Sequence, residues 1–189
     1  MAKKFVLILG GARSGKSSFA QGMAAELGEK VLFVATGEPL DEEMVLRIKE
    51  HKRTRPQNWR TLEIAITVGQ KLEGQIGNAE VVLLDCLTLL ISNILTKEAA
   101  ASSCHCERNE ANSETEKQVA TEMEDLIGCI DKHESNFIVV SNEVGLGLVP
   151  ESKLGRVYRD LLGKANQLLA QHADEVYFMA SGIPMKIKG

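Results

Sequence analysis

The chain has 189 residues, of which 44% are hydrophobic and 25% are charged, and its formal net charge at pH 7 is -4. This length and composition are those of one globular domain, which we expect to span residues 1–189, and the acidic balance argues against general nucleic-acid binding. No apolar run approaches the length of a membrane span. Residues 1–4 lead straight into the first predicted strand and leave no room for a signal peptide, so we expect a cytoplasmic protein.

The first predicted strand, Phe5–Leu9, runs into a glycine-rich motif, and a helix is predicted over 18–27. The motif reads Gly10-Gly11-Ala12-Arg13-Ser14-Gly15-Lys16-Ser17. A G-x-x-x-x-G-K-S pattern between a strand and a helix is typical of a phosphate-binding loop, which disfavours an ordinary glycine-rich turn. Its N–H groups and the following helix N-terminus would face one anion. We expect Lys16 to reach the β- and γ-phosphates and Ser17 to ligate Mg²⁺.

A basic stretch follows the second predicted strand, Val31–Ala35. Asp41 is predicted to cap a helix that continues through residues 42–48, with acidic residues in its first turn. Between residues 47 and 60, Glu50 is the sole acidic residue, and the bases are Arg47, Lys49, Lys52, Arg53, Arg55 and Arg60. Such a patch can neutralise the phosphates of a second substrate or of leaving pyrophosphate. It can equally be a solvated helix face, and the pattern leaves both interpretations open.

His51 lies within this basic stretch. An imidazole can attack an α-phosphorus and carry the nucleotidyl group as a phosphoramidate. Neighbouring cations lower the pKa of a histidine and so favour its neutral, nucleophilic form. A single histidine at a helix end is more often an ordinary surface residue, and the pattern alone favours that interpretation. Glu63, in the short predicted strand 59–64, could bind a ribose hydroxyl or act as a base.

Three further predicted strands cover residues 80–85, 136–141 and 175–180, and an amphipathic helix is predicted from about 150 to 173. Near-continuous apolar strands that alternate with helices predict a largely parallel sheet with helices on both faces. Asp85 ends its strand at the edge where such sheets hold Mg²⁺ through a water. It can also cap the next helix, and the two roles are compatible.

The stretch 97–118 is polar and acidic, and we predict a mobile surface insertion there. It contains Cys104-His105-Cys106, but no second ligand pair lies nearby at the spacing of a zinc site, so a chance cluster is favoured. Residues 142–145 read Asn-Glu-Val-Gly where a regulatory GTPase would carry N-K-x-D. A switch GTPase is therefore disfavoured.

Together these residues resemble the family of bifunctional adenosylcobinamide kinase / adenosylcobinamide-phosphate guanylyltransferases. The resemblance covers nearly the whole chain and fails only at 97–118. The matching segments are the phosphate loop, Val34-Ala35-Thr36, Asp41-Glu42-Glu43-Met44, Arg47-Ile48 with His51, Arg55-Pro56, Trp59-Arg60-Thr61 with Glu63, Leu84-Asp85-Cys86-Leu87-Thr88 with Asn93, residues 140–145 and 149–150, Gly155-Arg156, Arg159-Asp160, Asn166-Gln167 and residues 181–186.

The resemblance implies an α/β fold of the P-loop NTPase-like, RecA-like kind. It implies that a nucleoside triphosphate, ATP or GTP, phosphorylates adenosylcobinamide. GTP would then give its GMP to a histidine, and adenosylcobinamide phosphate would take the GMP, with adenosylcobinamide-GDP and pyrophosphate as products of cobalamin biosynthesis. It also implies a homo-oligomer, a trimer.

The resemblance assigns residues as well. His51 matches the family's guanylylated histidine, although some relatives have two consecutive histidines where this chain has Glu50-His51. Lys16 and His51 would be catalytic, and Ser17 and Asp85 would hold Mg²⁺. The implied nucleotide contacts are Gly10, Gly11, Ala12, Arg13, Ser14, Gly15, Lys16, Ser17, Ser18, Thr36, Gly37, Glu38, Lys52, Arg53, Thr54, Glu63 and Asp85.

Two other functions remain compatible with the residues. A small-molecule kinase without nucleotidyl transfer would use the phosphate loop but leave His51 and the basic stretch without a role. A nucleotide-binding regulatory module would change a partner surface without group transfer.

Overall fold

The computed structural model describes residues 3–39, 42–101 and 108–189, with the side chains of residues 43, 47, 51, 54, 99–101 and 108–112 outside that description. Helices and strands alternate along the described chain. In order they are β1 (Phe5–Gly10), α1 (Lys16–Leu27), β2 (Val31–Ala35), α2 (Glu42–Thr54), β3 (Arg60–Glu63), α3 (Val68–Leu72), β4 (Val81–Asp85), α4 (Leu87–Ala101), α5 (Arg108–Lys132), β5 (Asn136–Val140), α6 (Lys153–His172), β6 (Glu175–Ala180) and β7 (Ile183–Lys188).

The described strands form one seven-stranded sheet in the order β3-β2-β4-β5-β1-β6-β7. Each pairing is parallel except that of β6 with β7, which is antiparallel. Strand β5 therefore lies between β1, which leads into the phosphate loop, and β4, which ends in Asp85. The carboxyl ends of the six parallel strands meet at one edge, where α/β sheets bind ligands. The predicted P-loop NTPase-like α/β fold is confirmed.

Alternating side chains of the central strands pack on opposite faces of the sheet. Phe5, Leu7 and Leu9 of β1 join the larger apolar cluster, which is built with α3, α4, α5 and α6. Val6 and Ile8 join the smaller cluster, which includes residues of α1. Both faces of β1 are thus buried, as its continuous apolar sequence predicts for a parallel strand.

The six predicted strands are confirmed, each within one residue of the observed bounds. The elements that were not predicted include α3 and β7. The short helix α3 has little sequence signal of its own; the Glu122 carboxylate on α5 accepts hydrogen bonds from the N–H groups of Thr67 (2.7 Å) and Val68 (2.6 Å) at its start. Strand β7 alternates apolar and polar residues but contains Pro184, which weakens a strand prediction and is compatible with the edge position that β7 occupies.

The described residues of the stretch 97–118 differ from the predicted insertion because they are helical. Helix α4 continues to Ala101 and α5 begins at Arg108. Thr115 is only 4% exposed, and Gln118 donates a hydrogen bond to Glu98 of α4 at 2.8 Å. The polar composition suggested a mobile surface insertion. However, Thr115, Val119 and Glu122 repeat at helical spacing and form one buried side of α5. The Cys104-His105-Cys106 triplet and Asp41 lie outside the described residues.

Candidate nucleotide-binding and transfer site

The phosphate loop has a backbone that glycine makes possible. Gly10 has a φ of 149° and Gly15 a φ of 92°, both in the region that favours glycine, and Arg13 also has a positive φ of 56°. A Cβ on Gly10 would lie 2.5 Å from the carbonyl oxygen of Met179 in β6. The loop is thus seated directly on the neighbouring strand.

The turn between β6 and β7 also holds the loop. The N–H of Gly182 donates to the carbonyl of Ser14 at 3.0 Å, and a Cβ on Gly15 would lie 3.3 Å from the Cα of Gly182. This support was not predicted, because no local pattern ties residue 182 to residue 14.

The ammonium group of Lys16 lies within the loop and is 7% exposed as a residue. Its Nζ donates to the carbonyl of Gly11 at 2.6 Å and to Oγ of Ser14 at 3.4 Å. Burial lowers the pKa of Lys16, while the nearby Cys86 and Asp85 act in the opposite direction. Lys16 therefore lies near Asp85 at the end of β4, and a phosphate site shared by the two residues stays a prediction.

The predicted magnesium ligands have suitable chemistry. Ser17 is the second residue of α1, directly after Lys16, and Asp85 is the last residue of β4. Both are partly buried at the ligand-binding edge. A carboxylate and a hydroxyl are hard oxygen donors, which Mg²⁺ combines with phosphate oxygens and waters. Among the described residues no group of three or more His, Cys, Asp or Glu side chains could hold a metal by itself. The donor set fits a Mg²⁺ that arrives with a nucleotide.

Thr36 connects the ends of β2 and β4. It is fully buried, and its Oγ1 donates to the carbonyl of Cys86 at 2.7 Å and accepts from the Cys86 N–H at 3.0 Å. Asn93 on α4 donates to the carbonyls of Thr36 (2.8 Å) and Ala65 (3.0 Å). Thr36 thus braces the edge in this structure, and its direct contact with a nucleotide stays a prediction.

A second buried polar network fixes the segment after β5. Ser141 donates to Asn166 of α6 at 2.7 Å, and Asn166 donates to the carbonyl of Asn142 at 3.0 Å. The N–H of Asn142 donates to Oγ1 of Thr88 at 2.8 Å, while Tyr158 donates to the Thr88 carbonyl at 3.2 Å. The amphipathic pattern of residues 150–173 predicted a helix but not this polar role. Buried Asn and Ser beside apolar positions are the signal for it.

Helix α2, which carries His51, lies over the carboxyl edge of the sheet. Ile48 and Leu89 both approach Gly37 closely, within 3.6 Å and 3.3 Å of where its Cβ would be. Gly37 follows β2, and Leu89 lies in the first turn of α4 after β4. The structure therefore places residue 51 on a helix above this edge, while the His51 side chain lies outside the described residues, as do those of Arg47 and Thr54.

The basic stretch does not form one continuous patch among its described members. Lys52 pairs with Glu63 at 2.5 Å, and Arg53 pairs with Glu50 at 2.8 Å. Arg60 lies at the amino-terminal end of β3, where it donates to the carbonyls of Gln75 and Ile76. Arg60 is thus at the opposite edge of the sheet from the phosphate loop, and of the two interpretations left open for the basic stretch, a role on phosphates does not fit this residue.

A cavity of about 340 Å³ lies beside this stretch and is lined by Lys52, Arg55, Trp59 and Glu63, among others. It sits at the outer strand β3, four strand positions from β1 in the sheet. The phosphate loop, which follows β1, is therefore not part of this cavity. Glu38 and Gly37, between the two regions, are partly exposed and accessible to a ligand that spans this edge.

Comparison with known proteins decides between the alternatives. A sequence model of the family described as cobinamide kinase / cobinamide phosphate guanyltransferase matches residues 6–187. The chain belongs to this family. The predicted class, a bifunctional enzyme of cobalamin biosynthesis, is confirmed at that level.

Curated relatives match the chain at nearly full length. The bifunctional adenosylcobalamin biosynthesis protein CobU of Escherichia coli K12 is 38% identical over 184 residues, covering 97% of this chain and 99% of the relative. CobU of Salmonella typhimurium is 37% identical, with 97% and 99% covered. CobP of Pseudomonas aeruginosa is 38% identical, with 97% and 96% covered.

Among solved structures, the chain is similar to the RadB recombinase with a TM-score of 0.47 and 15% identity, over 94% of this chain and 74% of that one. No helix within the described residues combines the length and hydropathy that a membrane crossing needs.

Proposed function

We propose that this chain catalyses two successive transfers at one nucleotide site. The first phosphorylates adenosylcobinamide, and the second transfers GMP from GTP to adenosylcobinamide phosphate. The observation that carries the proposal is the arrangement of one edge of the sheet: Lys16 in the phosphate loop faces the end of β4, and α2 with residue 51 lies over the same edge. The identity of the two substrates is inferred from the family to which the chain belongs.

In the kinase step, the hydroxyl oxygen of adenosylcobinamide attacks the γ-phosphorus, and the bond from that phosphorus to the β-phosphate oxygen breaks. The loop N–H groups and Lys16 hold the phosphates, because Lys16 can exchange its bond to the Gly11 carbonyl for phosphate oxygens. A bound Mg²⁺ would neutralise negative charge on the phosphates. Ser17 and Asp85 are the residues that would hold it.

In the guanylyl step, a neutral imidazole nitrogen of His51 attacks the α-phosphorus of GTP. A phosphorus–nitrogen bond forms, the bond to the β-phosphate oxygen breaks, and pyrophosphate leaves. A phosphate oxygen of adenosylcobinamide phosphate then attacks the same phosphorus, and the histidine is released as adenosylcobinamide-GDP forms. Lys52, Arg53 and Thr54 follow His51 on α2, and their predicted nucleotide contacts belong to this step.

The remaining nucleotide contacts are part of the same proposal. They are Gly10, Gly11, Ala12, Arg13, Ser14, Gly15 and Ser18 of the loop region, and Thr36, Gly37, Glu38, Glu63 and Asp85 along the edge of the sheet. We further infer that residues 1–189 act as one domain, in the cytoplasm and as a homotrimer. Exposed Ile183, Met185 and Ile187 on the edge strand β7 support assembly, since a subunit contact could bury them.

The test is intact-protein mass spectrometry after incubation with GTP and Mg²⁺. We expect a mass increase of one GMP on the wild-type chain, its absence in His51→Ala, and its strong reduction in Lys16→Met. Peptide mapping should place the adduct on His51. Addition of adenosylcobinamide phosphate should discharge it, with adenosylcobinamide-GDP as the product.

The same experiment separates the alternatives. A simple kinase would phosphorylate adenosylcobinamide but form no adduct, and a regulatory module would do neither. An adduct that persists in His51→Ala would contradict the assignment of the nucleophile.

A further inference from the structure

Arg55 is the first residue after α2, and its side chain lies across two strands of the sheet. Its Cζ is 3.4 Å from the centroid of the Phe33 ring in β2, and its Nη1 donates to Oγ1 of Thr61 in β3 at 2.8 Å. Phe33 and Thr61 are directly paired in the β2–β3 register, and Phe33 is 2% exposed. One guanidinium therefore joins the end of α2 to the rigid sheet.

Burial at this position is unfavourable for the positive charge of Arg55. Burial lowers the pKa of Arg55, and the nearby carboxylates of Asp85 and Glu63 only oppose that effect. Its Nε is buried with no hydrogen-bond partner among the described residues. A planar guanidinium tolerates such a site better than an ammonium group, because it is weakly hydrated and stacks on aromatic rings.

The rest of α2 is held weakly in comparison. No described side chain of α2 is buried, and Leu46 is 66% exposed. Ile48 contacts the region of Gly37 and Leu89, and Lys52 pairs with Glu63 although both side chains are at least half exposed. Exposed ion pairs of this kind contribute little to holding two elements in place. Among the described side chains at the carboxyl end of α2, Arg55 thus makes the most buried contact with the sheet.

His51 lies four residues before Arg55, which is about one helical turn. We propose that Arg55 is a positioning residue for the guanylyl step: by fixing the end of α2 on Phe33 and Thr61, it sets where His51 meets the α-phosphate. The kinase step does not depend on it, because Lys16 is held by its own loop. This inference rests on the proposed role of His51 as the nucleophile.

The test compares the two steps in Arg55→Lys, which keeps the charge but loses the planar stack. At saturating GTP and Mg²⁺ we expect the rate of GMP-adduct formation to fall at least ~10-fold, since a displacement of about 1 Å can cost ~100-fold in rate. The rate of adenosylcobinamide phosphorylation with ATP should change less than about 2-fold under the same conditions, consistent with a group that acts only on orientation.

Two matched variants complete the design. Arg60→Lys alters a nearby arginine that donates to backbone carbonyls at the amino-terminal end of β3, and it should leave both rates as in wild type. Thr61→Val removes the hydrogen-bond acceptor and should slow the adduct step selectively, with an effect that is not additive with Arg55→Lys. It also keeps the proposal testable if Arg55→Lys fails to fold.

Selective loss of adduct formation in Arg55→Lys or Thr61→Val, with Arg60→Lys unaffected, supports the proposal. Equal loss of both activities, or wild-type adduct rates in both variants, overturns it while leaving His51 as the nucleophile. A wild-type chain that forms no adduct overturns the proposed function itself, and the role of Arg55 with it.

Discussion

Gly10 shows how one residue fixes the phosphate loop. Its φ of 149° and the short distances from its Cβ position to the Met179 carbonyl (2.5 Å) and Ser14 Oγ (2.9 Å) leave no room for a side chain. Gly11, the next residue, has open space at the same position. The two glycines are adjacent in the same motif, but only Gly10 lies where a side chain would clash with its surroundings.

We expect Gly10→Ala to lower the free energy of unfolding by about 2–4 kcal/mol, because the new Cβ must displace backbone that is packed in the sheet. Gly11→Ala is the control and should cost less than about 1 kcal/mol in the nucleotide-free protein. Denaturant unfolding without nucleotide measures both. Equal stability of the two variants would contradict the seating of the loop on β6.

At this scale the sequence predicted the loop but not its surroundings. The eight consecutive residues of the motif predicted the phosphate site, because each residue type in it, at its spacing, has a defined role in binding phosphate groups. The sequence did not reveal the seating of Gly10 on Met179 or the bond from Gly182 to Ser14, since each joins residues more than 150 positions apart. Arg55 was assigned only to a basic stretch, because its stacking on Phe33 depends on the β2–β3 pairing.

Among the elements, the short helix α3 depends on a residue from another helix. Glu122 is 6% exposed, and burial raises its pKa even though the N–H groups of Val68 and Thr67 oppose the shift. A neutral oxygen acceptor at this position should therefore serve nearly as well as a carboxylate.

We predict that Glu122→Ala lowers the free energy of unfolding by about 2–3 kcal/mol, because it leaves two buried N–H groups without acceptors. Glu122→Gln retains an amide oxygen and should cost less than about 1 kcal/mol. Chemical denaturation at pH 7 distinguishes them. A Gln variant as unstable as the Ala variant would mean that the charge, rather than the acceptor, holds α3.

The hairpin of β6 and β7 is tied to the start of β1 by one carboxylate. Lys4 donates to Glu175 at 2.8 Å, Tyr177 donates at 2.9 Å, and Lys186 lies 3.3 Å away. The hydrogen bond from Lys4, with those from Tyr177 and Lys186, lowers the pKa of Glu175 to about 2.

The pKa of Glu175 is below that of an unfolded glutamate, about 4.3, so its contribution to stability is present above that pH and is lost as pH falls toward 2. We predict that Glu175→Gln costs about 1 kcal/mol at pH 7, a value reduced for the partly exposed lysines. The difference from wild type should disappear between pH 4 and pH 2 in unfolding experiments. The exposed Glu26→Gln is the control, and a constant difference across this range would contradict the prediction.

Strongly apolar strands were predictable as elements because both of their faces are buried and their runs are continuous. Helix α3 and strand β7 were not predictable, since α3 needs Glu122, which lies 54 residues after Val68, and β7 has exposed residues along its whole length. The acidic start of α5 was predicted to be a mobile surface insertion, because its buried side can be recognised only once its packing partners are known.

At the scale of the whole molecule, and apart from Leu46 on α2, the exposed large apolar residues that the structure describes concentrate in two places. One is the edge strand β7, with Ile183, Met185 and Ile187, and the other is the segment around Leu146 and Leu148 near the start of α6. An unpaired apolar edge invites association with another chain. It is the physical reason for the proposed homotrimer.

We predict that Met185→Lys weakens the homo-oligomer, because it places a charge on the exposed side of β7. Sedimentation velocity should show a smaller species than wild type at equal concentration, with unchanged helix content by circular dichroism. Leu46→Lys, which charges another exposed apolar residue, on α2, is the control for a general effect on solubility. An unchanged sedimentation coefficient for Met185→Lys would locate the subunit contact elsewhere.

The hydrogen bond from Gly182 to the phosphate loop couples nucleotide binding in the loop to strand β7. A nucleotide that orders the loop also restrains the turn that opens β7, so amide hydrogen exchange in residues 183–188 should slow when the site fills. The last strand, remote from the loop in sequence, then serves as a built-in reporter. A spectroscopic probe near the C-terminus could follow each turnover without touching the reacting groups.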